Sequence, residues 1–107
     1  MSFKKLGLSD ELLNAIQAKG YSQTTPVQEK AIPYIMQGLD ILAGAQTGTG
    51  KTAAFALPIL SRLQQSESKR RRIRALVLTP TRELASQVAD SFRDYGSNLR
   101  FKTAVIY

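Results

Sequence analysis

The sequence of 107 residues contains no cysteine and no histidine. The first absence excludes disulfide bonds and thiolate metal sites, and the second removes the commonest metal ligand and the commonest general base. A hard cation such as magnesium can still bind, because hydroxyl and carboxylate oxygens are its ligands. Apolar runs long enough to span a bilayer are missing, and the N-terminal residues lack the apolar core of a signal peptide. We therefore expect a cytoplasmic protein.

Acidic residues are the scarcer charged type. Fifteen Lys and Arg against eight Asp and Glu give a formal net charge of +7, which favours a polyanion as partner. A soluble surface that is basic without a role is the alternative, and composition alone does not decide between them. Much of the excess lies in residues 69–74, KRRRIR, where no aromatic side chain is present to stack on a base. We interpret this run mainly as a solvated loop with nonspecific affinity for polyanions.

Helix-start and helix-stop residues divide the first part of the chain. Ser9 followed by two acidic residues predicts a helix start, and Gly20 predicts its end. A second helix is predicted to begin near Thr25. Pro33 should break it, because proline disfavours helical backbone before it, and Gly38 should end the short piece that follows.

Three short apolar runs predict buried strands, with a helix between each pair. The predicted strands are 41–43, 75–78 and 102–107, and the helices are 51–64, where Pro58 can introduce a kink, and 81–95. This order predicts an α/β fold with a parallel sheet flanked by helices, the sheet being truncated after the third strand. We expect a helical N-terminal flank at 1–38 and an incomplete sheet domain at 39–107.

The stretch AQTGTGKT, residues 45–52, predicts a phosphate-binding loop between a strand and a helix. Nucleotide phosphates need several backbone N–H groups aimed at one point, and glycine permits the required backbone. The next helix adds free amides and a positive dipole end, while Lys51 can reach the outer phosphates and the Thr52 hydroxyl can ligate magnesium. Ala45 stands where the usual pattern has glycine. A glycine-rich turn with a solvated Lys51 is the alternative.

Two roles are open for Gln28. Thr25 and Gln28, with Pro26 at the first helical position, match a capping box. The Gln28 amide could instead pair with the exocyclic amine and ring nitrogen of adenine, because it carries one acceptor and two donors. From the residues alone the cap is favoured, and the two roles can coexist.

An alanine in the pattern A-x-T-G-x-G-K-T resembles the loop of the DEAD-box ATP-dependent RNA helicases. GY at 20–21 and TPVQ at 25–28, with Phe3 upstream, look like that family's Q motif. PTRELA at 80–85 matches its motif Ia, and VIY at 105–107 looks like the strand before its glycine-pair motif. The amino-acid sequence of these motifs is closest to that of the bacterial RhlE-like branch. Thr24 departs from the family, which usually has proline there.

The resemblance implies a RecA-like P-loop domain that uses ATP and Mg²⁺ and grips RNA by its sugar-phosphate backbone. It assigns the catalytic positions to Lys51 and Thr52, with Thr52 also on magnesium. The implied nucleotide contacts are Phe3, Tyr21, Gln28, Gln46, Thr47, Gly48, Thr49, Gly50, Lys51 and Thr52. The implied RNA contacts are Pro80, Thr81 and Arg82. The residues alone favour an ordinary surface role for Arg82.

The family's glycine-pair, Asp-Glu-Ala-Asp and Ser-Ala-Thr motifs and its second RecA-like domain are absent from these 107 residues. We therefore expect this part alone to be inactive in hydrolysis and unwinding. Incomplete strand pairing should leave sheet edges that favour self-association, rearranged pairing or marginal stability. Two other functions stay open: a P-loop nucleotide-binding module that does not act on RNA, and a basic nucleic-acid-binding fragment that does not need nucleotide.

Overall fold

The computed structural model describes residues 2–41, 51–65 and 73–106. Within these ranges the secondary structure is helical apart from one isolated bridge. A 3₁₀ helix, Phe3–Leu6, is followed by α1 at Asp10–Ala18, α2 at Pro26–Met36, α3 at Lys51–Gln65 and α4 at Arg82–Tyr95. None of the described helices is long and apolar enough to cross a membrane.

The bounds of α1 follow from its capping residues, as predicted. Ser9 caps the start through its side chain. At the other end the amides of Gly20 and Tyr21 donate to the carbonyls of Gln17 and Ile16, respectively. This pair of hydrogen bonds is a Schellman motif, which needs left-handed backbone at the residue that follows the C-cap. Gly20 supplies it with a φ of 85°, so the turn between α1 and α2 has a fixed geometry.

The predicted break of α2 at Pro33 is wrong. The helix continues through Pro33 to Met36 and ends before Gly38, whose φ is 82°. Ile32 is fully buried, and α2 packs along α3. This packing holds the residues on both sides of the proline in one helix, so it outweighs the local penalty of a missing N–H donor. Likewise α3 runs through Pro58 without interruption.

The core lies between the helices. Besides its contact with α2, α3 packs against α4, and α4 also contacts α1. Between α3 and α4 the rings of Phe55 and Phe92 lie 6.2 Å apart at 43°. The buried cluster consists of Phe3, Leu8, Leu12, Ile16, Ile32, Ala53, Ala56, Leu57, Leu60 and Tyr95. Helices from the predicted flank and from the predicted sheet domain therefore share one core.

The predicted parallel sheet is not formed by the described residues. Residues 75–78 and 102–106 are neither helical nor paired in a ladder, and the first predicted strand lies outside the described residues apart from Ile41. Leu76, Leu78 and Ile106 are 79%, 85% and 92% exposed, so their predicted burial is wrong. An apolar run becomes a buried strand only when neighbouring strands satisfy its backbone. Residues 2–41, 51–65 and 73–106 provide no such neighbours.

Two arginine side chains attach these non-helical segments to the helices. Arg74 donates to the carbonyl of Leu63 at 3.2 Å, and its guanidinium lies 5.8 Å from the centroid of the Phe101 ring. Arg93 donates to the carbonyl of Thr103 at 3.4 Å. Arg74 belongs to the basic run that we interpreted as solvated. The structure corrects this for Arg74, which is partly buried, while residues 69–72 lie outside the described part.

Candidate functional site

The start of α3 presents the two residues predicted to contact phosphate and magnesium. Lys51 is the first residue of this helix and is exposed, and Thr52 follows it half-buried. The first turn of α3 contains no acidic residue, so no carboxylate within this turn competes with an anion for the amides of the helix start. The loop positions Gln46, Thr47, Gly48, Thr49 and Gly50 lie outside the described residues.

These residues fit a nucleotide-bound magnesium only in part. The Thr52 hydroxyl offers one oxygen ligand of the type that Mg²⁺ takes. Among the described residues no group of three or more His, Cys, Asp or Glu could hold a metal ion.

At the start of α2 the predicted capping box is confirmed. The Thr25 amide donates to Oε1 of Gln28 at 2.9 Å, and the Gln28 amide donates to the Thr25 hydroxyl at 3.4 Å. Gln28 is only 4% exposed. A carbonyl oxygen has two lone pairs, so the cap uses part of its acceptor capacity and leaves the amide N–H donors out of this exchange. The structure therefore shows the capping role of Gln28, and its role in base recognition stays a prediction.

Thr24, at the position where the resemblance leads one to expect proline, contributes a hydrogen bond. Its hydroxyl donates to Oε1 of Glu29 at 2.6 Å. This bond is the main reason that the pKa of Glu29 lies below its ordinary value. A proline could not donate it, so the α2 entry is stabilised here by a side chain rather than by a rigid ring.

The predicted base-contacting aromatics differ in exposure. Tyr21 is 51% exposed on the Schellman turn after α1, whereas Phe3 is 5% exposed and belongs to the core. An antiparallel bridge between Ser2 and Gln23 joins their segments. Tyr21 therefore has surface available for a ligand, whereas Phe3 is buried in the core.

Motif Ia residues form the start of α4. The Thr81 hydroxyl accepts a hydrogen bond from the Leu84 amide at 3.1 Å and caps the helix, whose start near residue 81 was predicted. The hydroxyl proton of Thr81 is not used in that bond. Pro80 and Arg82 are exposed. This arrangement offers a helix N-terminus and a guanidinium to a phosphate group.

The structure relates these predicted positions through helix packing. Gln28 and Lys51 lie on two helices in direct contact, and the 3₁₀ helix that carries Phe3 also contacts α2. One cluster near Tyr21 was missed by sequence reasoning: Lys19 pairs with Asp94 across 75 positions of the chain. No local spacing could have revealed such a pair.

The DEAD/DEAH box helicase family model matches residues 25–107. The chain belongs to this family. It is 49% identical over 106 residues to the DEAD-box ATP-dependent RNA helicase RhpA of Helicobacter pylori, a match that covers 99% of this chain and 21% of the relative. It is 44% identical over 107 residues to the ATP-dependent RNA helicase CshA of Limosilactobacillus reuteri, covering all of this chain and again 21% of the relative. The chain thus spans about a fifth of the length of these curated relatives.

Solved structures of DEAD-box helicase domains have a similar fold. The RNA helicase Prp28 from Chaetomium thermophilum, bound to ADP, matches with a TM-score of 0.86 and 39% identity over 94% of this chain and 25% of that one. A DEAD box protein from Methanococcus jannaschii matches with a TM-score of 0.79 and 45% identity over 89% of this chain and 25% of that one. The RecA-like assignment is supported at this level, while the RhlE-like branch stays a prediction.

Proposed function

We propose that this chain is the nucleotide-binding part of an ATP-dependent RNA helicase that separates short RNA duplexes. The main supporting observation is the packing of α2 on α3, because it combines a capped Gln28 and the Lys51-Thr52 helix start in one unit. A second support is family membership. The relatives named above are RNA helicases, and one structural neighbour is bound to ADP.

For the nucleotide, we propose that Gln28 pairs with the adenine edge and that Tyr21 packs on the base. Lys51 would neutralise the outer phosphates, which also accept hydrogen bonds from the amides at the start of α3. The loop residues Gln46 to Gly50 would surround the phosphates through their backbone. With ATP bound, the Thr52 hydroxyl and phosphate oxygens would hold Mg²⁺, which lowers the repulsion between phosphate charges.

For RNA, we propose that Pro80, Thr81 and Arg82 contact the sugar-phosphate backbone. The exposed guanidinium and the start of α4 suit a phosphate and carry no base information. Binding should therefore be insensitive to sequence and sensitive to salt.

For chemistry, we propose that these 107 residues alone neither hydrolyse ATP at a useful rate nor unwind RNA. Phosphoryl transfer to water needs a group that orients the water and further charges around the γ-phosphate. Histidine is absent, and the sequence contains no Asp-Glu-Ala-Asp stretch. A measured RNA-stimulated ATPase rate for this chain would contradict the proposal.

The decisive experiment is calorimetric titration of the chain with ADP and with GDP, each with magnesium. Wild type, Lys51→Ala and Gln28→Ala are compared, with Lys30→Ala as the control because Lys30 is an exposed lysine in the interior of α2. We expect saturable ADP binding that Lys51→Ala abolishes and Lys30→Ala leaves unchanged. Gln28→Ala should reduce the preference for ADP over GDP.

Three results would count against the proposal in different ways. No ADP binding by a folded chain would mean that the nucleotide site does not assemble here. ADP binding without RNA binding would favour a P-loop module that does not act on RNA. RNA binding that is indifferent to nucleotide and to Lys51→Ala would favour a basic nucleic-acid-binding fragment.

A further inference from the structure

The end of α1 is held to the end of α4 by one lysine. Lys19 Nζ lies 3.0 Å from Oδ2 of Asp94, and it also lies 5.1 Å from the centroid of the Tyr95 ring. The lysine therefore has two partners on adjacent residues of α4, an ion pair and a cation–π contact. The Lys19 side chain is 28% exposed and the Asp94 side chain 56%, so water screens the ion pair mainly from the side of the carboxylate.

A second contact joins the same two regions. The side-chain amide of Asn98, just beyond α4, donates to the carbonyl of Glu11 in α1 at 3.1 Å. Tyr95 is itself 5% exposed and part of the shared core. The C-terminal end of α4 is thus anchored on α1 and forms a fixed support for Lys19.

Lys19 is also coupled to Tyr21 through the backbone. Lys19 is the C-cap of α1, and the Schellman hydrogen bonds of Gly20 and Tyr21 fix the two residues that follow it. The phenol of Tyr21 is near enough to Tyr95 to add to the effect of burial in raising the pKa of Tyr95 to about 12. Tyr21, Lys19 and Tyr95 therefore belong to one local cluster.

We propose that Lys19 is a positioning residue for the nucleotide base: its contacts with Asp94 and Tyr95 hold the turn that presents Tyr21. This inference rests on the proposed packing of Tyr21 against adenine. It predicts that breaking the contact weakens the binding of ligands that carry a base. Ligands that consist of phosphate alone should be unaffected, because they bind at the start of α3.

The test compares Mg-ADP with inorganic tripolyphosphate by calorimetric titration. The variants are Asp94→Asn, Lys19→Met and Lys19→Arg, and the matched control is Asp90→Asn. Asp90 forms an exposed ion pair with Arg93 on the same helix, at 3.3 Å. The Asp90→Asn substitution therefore removes the same charge as Asp94→Asn but breaks no contact with α1. Circular dichroism is used to check that each variant keeps its helix content.

We expect Asp94→Asn and Lys19→Met to weaken ADP binding about two- to fivefold, the range for a partly exposed ion pair, with tripolyphosphate affinity unchanged. Lys19→Arg should restore most of the ADP affinity, since a guanidinium keeps both contacts. Asp90→Asn should match wild type for both ligands.

An unchanged ratio of ADP to tripolyphosphate affinity in Asp94→Asn and Lys19→Met would overturn the inference while leaving the proposed nucleotide site standing. A parallel loss of both ligands would also overturn it, because it would indicate a general structural role. Wild type that binds neither ligand would refute the nucleotide site itself, and the inference with it.

Discussion

The backbone amide of Thr25 and the side-chain oxygen of Gln28 lie 2.9 Å apart in a hydrogen bond that closes the capping box of α2. The proposed adenine-reading residue is therefore also a structural residue. Replacing it by alanine would remove both roles together, so a loss of ADP affinity could be assigned to base reading only where the preference for ADP over GDP also falls.

Gln28→Glu separates the two roles. A carboxylate can accept the Thr25 N–H, and negative charge is favourable at a helix N-terminus, but it cannot donate to a ring nitrogen of adenine. Gln28→Ala should lose about 1 kcal/mol with the cap, whereas Gln28→Glu keeps the cap but must desolvate a carboxylate at a position that is only 4% exposed, so we expect both variants to be less stable than wild type. ADP affinity should fall in both. The measurements are urea unfolding and calorimetry, and full ADP affinity in Gln28→Glu would remove the base-reading role.

The sequence predicted those features of this fold that depend on neighbouring residues. Caps and stops such as Ser9, Gly20 and Thr25 act within one helical turn, so the helix bounds could be inferred from local patterns. The prediction of a buried strand at 75–78 is wrong because such a strand depends on residues that are distant in the sequence. Its burial depends on partners elsewhere in the chain, and an apolar run does not say whether they are present.

Distance along the chain also limited prediction of the site. The GKT triplet marks the start of α3, and its position was predicted because the pattern lies within a few residues. Lys19 and Asp94 carry no such pattern, since their contact depends on how α1 and α4 pack. The continuation of α2 through Pro33 was also missed because it depends on packing: burial of Ile32 outweighs the local preference against helical backbone before proline.

Pro33 should reduce the stability of α2. It lacks the N–H that would donate to the carbonyl of Glu29 one turn earlier, and proline costs about 3 kcal/mol relative to alanine inside a helix. We expect Pro33→Ala to raise the free energy of unfolding by about 1–2 kcal/mol, after the greater freedom of the unfolded chain is subtracted. Pro26→Ala is the control, because proline at the first helical position is tolerated. Chemical denaturation tests this, and a less stable Pro33→Ala variant would contradict it.

Burial raises the pKa of Tyr95 to about 12, whereas a tyrosine in an unfolded chain titrates near 10. Between these values the unfolded chain gives up the proton and the folded chain keeps it, so stability falls as the pH rises from about 10 to 12. Tyr95→Phe should show a shallower fall than wild type over this range. Tyr34→Phe, at an exposed position, should follow the wild-type slope. The free energy of unfolding as a function of pH measures this, and equal slopes for wild type and Tyr95→Phe would refute it.

Arg82 should contribute to RNA binding without regard to base identity. Removing one phosphate contact is expected to weaken binding by a similar factor on different sequences and to lower the salt slope by about one. We expect this for Arg82→Ala on oligo-A and oligo-U of equal length, measured by fluorescence anisotropy at several salt concentrations. Arg93→Ala is a matched control, since Arg93 is an exposed arginine near the other end of the same helix. An equal effect of both variants would show that Arg82 contributes only through the overall positive charge and not through a specific phosphate contact.

The exposed apolar segment at 75–78 should cause self-association of this chain. Leu76 and Leu78 are 79% and 85% exposed, and an unpaired apolar segment can pair with a second copy. We expect sedimentation velocity to show concentration-dependent dimers or larger species. The double substitution Leu76→Lys with Leu78→Lys should shift the chain towards monomer, because like charges oppose pairing between copies. Leu39→Lys with Tyr34→Lys adds the same charge at two other exposed apolar positions and should leave association unchanged. A wild-type chain that stays monomeric at high concentration would show that this segment is not a site of self-association.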